Sequence, residues 1–150
     1  MDNVKIHTIG FTKKTAEHFF NALKKNGVMR IIDTRLNNYS QLSGFAKAKD
    51  LEFFLKKICD IDYVYRSELA PTKKILDNYK DKKITWEQYS IEYLNLMEQR
   101  LTASKLSSID VDKGCLLCSE DKPHHCHRRL LAEYLKEQWS NHKTSINHIL

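Results

Sequence analysis

Three of the chain's four cysteines, Cys115, Cys118 and Cys126, lie close together, and the last runs directly into His127, Arg128 and Arg129. A cysteine at the start of a helix meets backbone N–H groups without intrahelical partners and the positive end of the helix dipole, and both favour an anion. With His127 and two arginines beside it, the Cys126 thiolate is the candidate nucleophile near neutral pH. The same N–H groups with Arg128 could instead hold a phosphate, leaving Asp33 or Glu120 as general base or as the partner of a sugar hydroxyl. A metal is the third chemistry, because Cys115-x2-Cys118 followed by His124, His125, Cys126 and His127 supplies the softer ligands that zinc prefers. Strand geometry opposes that set. Cys115 and Cys118 are three apart, so on one strand they face opposite sides. Zinc is therefore carried as an alternative, with no residue assigned as a metal ligand.

Such groups act together only if the fold gathers them. Val4 to Ile9 is β-prone and closed by Gly10, and a helix with Ala16, Phe19, Phe20 and Leu23 on one face opens at Thr12 or Lys13. Asn26-Gly27 stops that helix, and Val28 to Ile32 forms a second strand ending at Asp33. A β-α-β unit joins parallel strands by a right-handed crossover, which sends Gly10 and Asp33 to the same edge of a sheet. After an irregular loop from Thr34 to Lys47, Leu51 to Ile58 is helical, Ile61 to Tyr65 is a third strand, and Lys73 to Tyr79 is a helix. Thr85, with Glu87 and Gln88, caps a longer helix whose inner face carries Tyr89, Tyr93, Leu96 and Met97. A polar link from Thr102 to Lys113 leads to Gly114–Cys118, an apolar run fit for a strand buried on both faces. Pro123 to Cys126 turns the chain into a helix from Arg128 to Trp139, and Ser145 to Ile149 closes the sheet.

The expected fold is thus a three-layer α/β/α sandwich on a mostly parallel sheet of about five strands, in one domain spanning 1–150. In such a sheet the loops leaving the carboxyl ends of the strands converge on one rim, where ligands bind. Gly10 with Phe11, Asp33 with Arg35, and Cys118, Glu120, Cys126, His127 and Arg128 should meet there.

Composition narrows the partners. With 41% hydrophobic and 29% charged residues, four Gly and two Pro, the chain is globular rather than disordered. No apolar run approaches the roughly 20 residues of a membrane span, and the opening MDNVKIHTIG lacks the order of a signal peptide, so a cytoplasmic protein without membrane contact is expected. There cysteines serve metals or chemistry more often than permanent disulfides. A net charge of +6 suits a phosphate-bearing partner, a nucleotide or nucleic acid, although the lysines form no block. Oligomeric state is not legible. The plainer assignments are core packing for Cys59 and Cys115, and for Asp33 a turn cap with Arg35 as a surface ion-pair partner worth about 0.2–1 kcal/mol.

Several stretches together resemble the bacterial DUF488 family, which is uncharacterised. They are Thr8-Ile9-Gly10, Asp33-Thr34-Arg35, Tyr39-Ser40 with Phe45, and Leu116-Leu117-Cys118-Ser119-Glu120 running through Pro123 to Cys126-His127-Arg128. The resemblance implies a three-layer α/β fold and points to Asp33, Arg35, Cys118, Glu120, Cys126, His127 and Arg128 as shared polar positions; Cys115 lies outside the pattern. Leu69-Ala70-Pro71-Thr72 and the helix from Trp86 to Tyr93 look more like a sister branch. Cys126, Asp33 and Glu120 are accordingly the catalytic candidates. Gly10, Arg35, Tyr39, Ser40, Cys118, His127 and Arg128 are the substrate-binding ones. An enzyme, a nucleotide or nucleic-acid binding module and a zinc-stabilised domain all stay open.

Overall fold

The computed structural model describes residues 3–39 and 44–150, and within them five strands form one all-parallel sheet in the order β3-β2-β4-β1-β5. The strands are β1 (Asn3–Gly10), β2 (Arg30–Asp33), β3 (Asp62–Tyr65), β4 (Gly114–Cys118) and β5 (Lys143–His148). The expected α/β sandwich is the observed one, and β4, read as a strand buried on both faces, lies in the middle with β2 on one side and β1 on the other. All five of its residues are buried, as an apolar strand covered on both faces requires.

The alternation of side chains divides the interior in two. Val4 and Ile6 of β1, Ile32 of β2 and Leu116 of β4 face a layer built by α4 (Trp86–Gln99) and α7 (His127–Gln138), with α3 (Lys73–Lys80) packed on α4. Ile9, Ile31, Cys115 and Leu117 face the other way, against α1 (Ala16–Lys25) and α2 (Ala48–Phe54). Ile6, Ile9, Ile31, Leu116 and Leu117 are fully buried, each worth about 1.5–3 kcal/mol in apolar transfer. The cysteines follow the same rule. Cys115 belongs to the α1 side, whereas Cys118 ends β4 at the rim.

Local chemistry sets the ends of the helices. Thr15 caps α1 by accepting from His18 N, and Gly27, at φ 68°, supplies the left-handed residue that turns the chain into β2. Thr85 and Gln88 form a reciprocal capping box on α4. The segment read as a polar link contains two four-residue helices, α5 (Thr102–Lys105) and α6 (Ser108–Val111). Such short helices are held by their surroundings and carry no period to detect. No helix among the described residues is long and apolar enough to cross a membrane.

Candidate functional site

Pairing of β2 with β4 brings their carboxyl ends side by side, and the ladder extends one step beyond β2, where Thr34 N donates to Leu117 O (3.0 Å). A cleft of about 530 Å³ opens at this rim. It is lined by Arg35, Leu36 and Tyr39 from the exit of β2 and by Lys73, Leu76 and Lys80 of α3 with Tyr89 of α4. Cys118, Glu120, Cys126 and His127 line it from the β4–α7 connection.

That connection folds back on itself, so that the sulfurs of Cys118 and Cys126 meet and are joined as a disulfide. The link was not expected from the sequence, which favoured metal or chemistry over a disulfide. It forms because β4 ends and α7 begins at the same rim, only eight residues apart. Cys126 occupies the N-cap of α7, and its own side chain makes no capping hydrogen bond. Its backbone N donates to Pro123 O (3.3 Å), which closes the turn.

Arg128 fixes the loop from beneath and is fully buried. Its guanidinium donates to the carbonyls of Glu120 and Asp121, to Thr8 Oγ1 (3.2 Å) and to Cys126 Sγ (3.8 Å). Burial pulls it down to about 10, which leaves it charged at neutral pH. The Thr8 hydroxyl in turn pairs with His148 Nδ1 (2.6 Å). Gly10 belongs to the same support: a Cβ there would fall onto the Glu120 carbonyl and close to Arg128 Nη1. Gly10 allows two backbones to touch, and it does not line the cleft.

His127 ties the exit of β4 to that of β2. The Thr34 hydroxyl donates to Leu117 O (2.8 Å), so toward His127 Nε2 (3.0 Å) it can only accept. The Thr34 carbonyl also accepts from Nε2 (2.9 Å), so Nε2 carries the proton and Nδ1 the lone pair. Burial drives His127 down to about 4, against the pull of the Thr34 carbonyl, and its imidazole is neutral near pH 7.

Asp33 and Arg35 make a tight internal pair. Oδ1 accepts from Arg35 Nε (2.8 Å) and Arg35 N (3.1 Å), and Oδ2 accepts from Arg35 Nη2 (2.8 Å) and the Tyr63 hydroxyl (2.5 Å). Arg35 Nη1 donates to Ala46 O (2.7 Å), and the guanidinium lies over the Phe11 ring. At 0% and 2% exposure this is a buried pair rather than the surface one considered above. Asp33 has all its lone pairs engaged and does not line the cleft, although Arg35 does.

The rim therefore gathers Arg35, Tyr39, Cys118, Glu120, Cys126 and His127 around one opening, while Gly10, Asp33 and Arg128 stand behind it. Ser40 lies outside the described residues. Cys115 is in the core, where burial pushes its thiol up, and Cys59 is half-buried against the α1 side. Sequence reasoning missed Lys73, Leu76 and Lys80, whose spacing of three and four puts them on one face of α3. It also missed Tyr89, taken as core, and His125, which stacks on Trp86.

Comparison with known proteins adds one relation. A family model described as domain of unknown function DUF488 matches residues 15–135, most of the chain, so the chain belongs to that family. No curated protein and no solved structure matches it.

Proposed function

We propose that this DUF488 chain is a cysteine-dependent enzyme acting on a phosphate-bearing substrate of nucleotide size, with Cys126 in its reduced form as the nucleophile. The observation that carries the reading is the Cys126 sulfur at the N-cap of α7, on the wall of an open cleft, with a buried guanidinium donating to it. A cation and a helix N-terminus aimed at one sulfur favour its thiolate over its thiol once the sulfur is reduced. Glu120, which lines the same cleft, serves proton transfer. Phosphate is held by the first N–H groups of α7 with Lys80, which lines the same cleft, while the Lys73 ammonium beside it is paired with Asp77 (2.6 Å). Arg35 and Arg128, whose donors go to protein acceptors, act as scaffold for this reading. A cleft of about 530 Å³ suits a mononucleotide better than a strand of nucleic acid.

The test is alkylation of reduced protein with iodoacetamide from pH 5 to 9, with the modified cysteine mapped by mass. Cys126 should react near pH 7 well ahead of Cys59, and adenosine monophosphate should slow it. A Cys126 that reacts only where an ordinary thiol does removes the nucleophile; fast reaction without nucleotide protection removes the substrate class alone. A second reading, binding without chemistry, draws support from the joined sulfurs, because that form presents no thiolate. It requires nucleotide or nucleic-acid affinity that falls steeply with salt, and affinity equal at low and moderate salt would exclude it.

A further inference from the structure

In a Cys-Cys-His constellation at the rim, Cys118, Cys126 and His127 bring two sulfurs and one ring nitrogen within 4.8 Å of one another, and all three residues are buried. We infer that the reduced protein binds one divalent cation of the zinc type through Cys118 Sγ, Cys126 Sγ and His127 Nδ1, leaving the fourth coordination position open to the cleft.

Three independent features support this set. The donor types are two thiolates and an imidazole, the combination that a borderline-soft cation takes with one position left for an outside ligand. The imidazole is prepared for the role: Nε2–H is given to the Thr34 carbonyl and hydroxyl, which fixes the ring and leaves the lone pair on Nδ1. A ligating histidine ordinarily has its other nitrogen bound in this way. The backbone also leaves room, because the α-carbons of Cys118 and Cys126 are 7.6 Å apart, wider than the roughly 4.4–6.8 Å usual across a bridged pair. Around a tetrahedral ion with Zn–S bonds of about 2.3 Å the sulfurs stand about 3.8 Å apart, which is a parting of side chains. This set differs from the Cys115-x2-Cys118 set that the sequence suggested, since Cys115 lies on the other side of β4.

The two oxidation states give opposite results. A phosphine opens the link by taking one oxygen from water, which leaves two thiols and a phosphine oxide. Each thiol then loses its proton as it binds the ion. The inference does not require Cys126 to be a nucleophile, and an ion held there would withdraw that sulfur from reaction.

The experiment uses the full chain reduced with tris(carboxyethyl)phosphine, desalted and titrated with Zn²⁺ against a chromophoric chelator, with Co²⁺ as spectroscopic probe. One ion per chain is expected, together with the sulfur-to-cobalt charge-transfer band of a thiolate site. Protein with the Cys118–Cys126 link intact should bind none. Cys118→Ser, Cys126→Ser and His127→Gln should each weaken binding by roughly a hundredfold or more, since losing even an outer-shell partner costs about 10–100-fold. Cys59→Ser should bind as the parent does. If a variant does not fold, protection of Cys126 from iodoacetamide by Zn²⁺ in the parent protein decides the matter. Substoichiometric zinc, a cobalt spectrum without charge transfer, or no protection would overturn the site. Fast alkylation of Cys126 without zinc binding sinks the metal and spares the nucleophile, and the reverse pattern does the opposite.

Discussion

The Asp33→Asn substitution separates a structural carboxylate from a catalytic one. Asp33 accepts four hydrogen bonds, three of them from Arg35, and neither side chain has more than 2% of its surface exposed. An amide can keep the bonds at one oxygen, but its NH₂ group would then face donors, Nη2 of Arg35 and the Tyr63 hydroxyl. The guanidinium would stay buried without its counter-charge, which costs about 3–5 kcal/mol. For a protein with a total stability of about 5–15 kcal/mol this is a large fraction. With a urea slope of roughly 1–3 kcal/mol/M, the midpoint should fall by on the order of 2 M. Urea unfolding followed by the fluorescence of Trp86 and Trp139, both packed on the α4–α7 core, reads it directly. Asp33→Asn/Arg35→Met, which removes both charges, should recover part of the loss. A single variant unfolding at the parent midpoint, or a double variant no better than the single, would refute the reasoning.

Three further outcomes follow from the support of the rim. Gly10→Ala should push the Glu120 carbonyl and the loop away and cost about 1–3 kcal/mol, read as a lower thermal midpoint; an unchanged midpoint would show that the backbones do not touch. Arg128→Met leaves the Glu120 and Asp121 carbonyls without their buried donor, at about 1–3 kcal/mol each, and should expose the 119–126 loop to protease; equal digestion of both proteins would contradict this. His127 has a folded pKa of about 4, below the ordinary 6.5, so its contribution is complete above pH 6.5 and is lost as pH falls toward 4. The loss approaches roughly 3 kcal/mol at about 1.4 kcal/mol per unit. Urea midpoints between pH 6.5 and 5 should decline more steeply in the parent than in His127→Gln, and parallel declines would argue against a buried neutral ring.

The fold was legible because it rests on periods. Val4 to Ile9, Phe19 to Leu23 and the apolar Gly114–Cys118 run each carry one pattern long enough to place a strand or a helix, and the caps at Thr85 and Gly27 are read from single residues. Strand order followed only in part, through the β-α-β rule, since nothing local tells β4 to enter between β1 and β2. At the site, residue types gave the location and not the division of labour. That Asp33 faces Arg35 and Tyr63, thirty residues further on, depends on strand pairing that no nearby sequence records. Lys73 and Lys80 carried a signal in their helical spacing, but only the packing of α3 shows that this face borders a cleft. The joining of Cys118 to Cys126 likewise rests on how the intervening loop folds back.

Arg128 grips the β4–α7 loop by its main chain, through the carbonyls of Glu120 and Asp121. Main-chain anchorage does not depend on which side chains the loop carries, so Ser119, His124 and His125 can be exchanged while the two sulfurs keep their positions. The loop then works as an interchangeable faceplate over a fixed mount, and altered ligand preference can be sought by randomising those three positions without rebuilding what lies beneath.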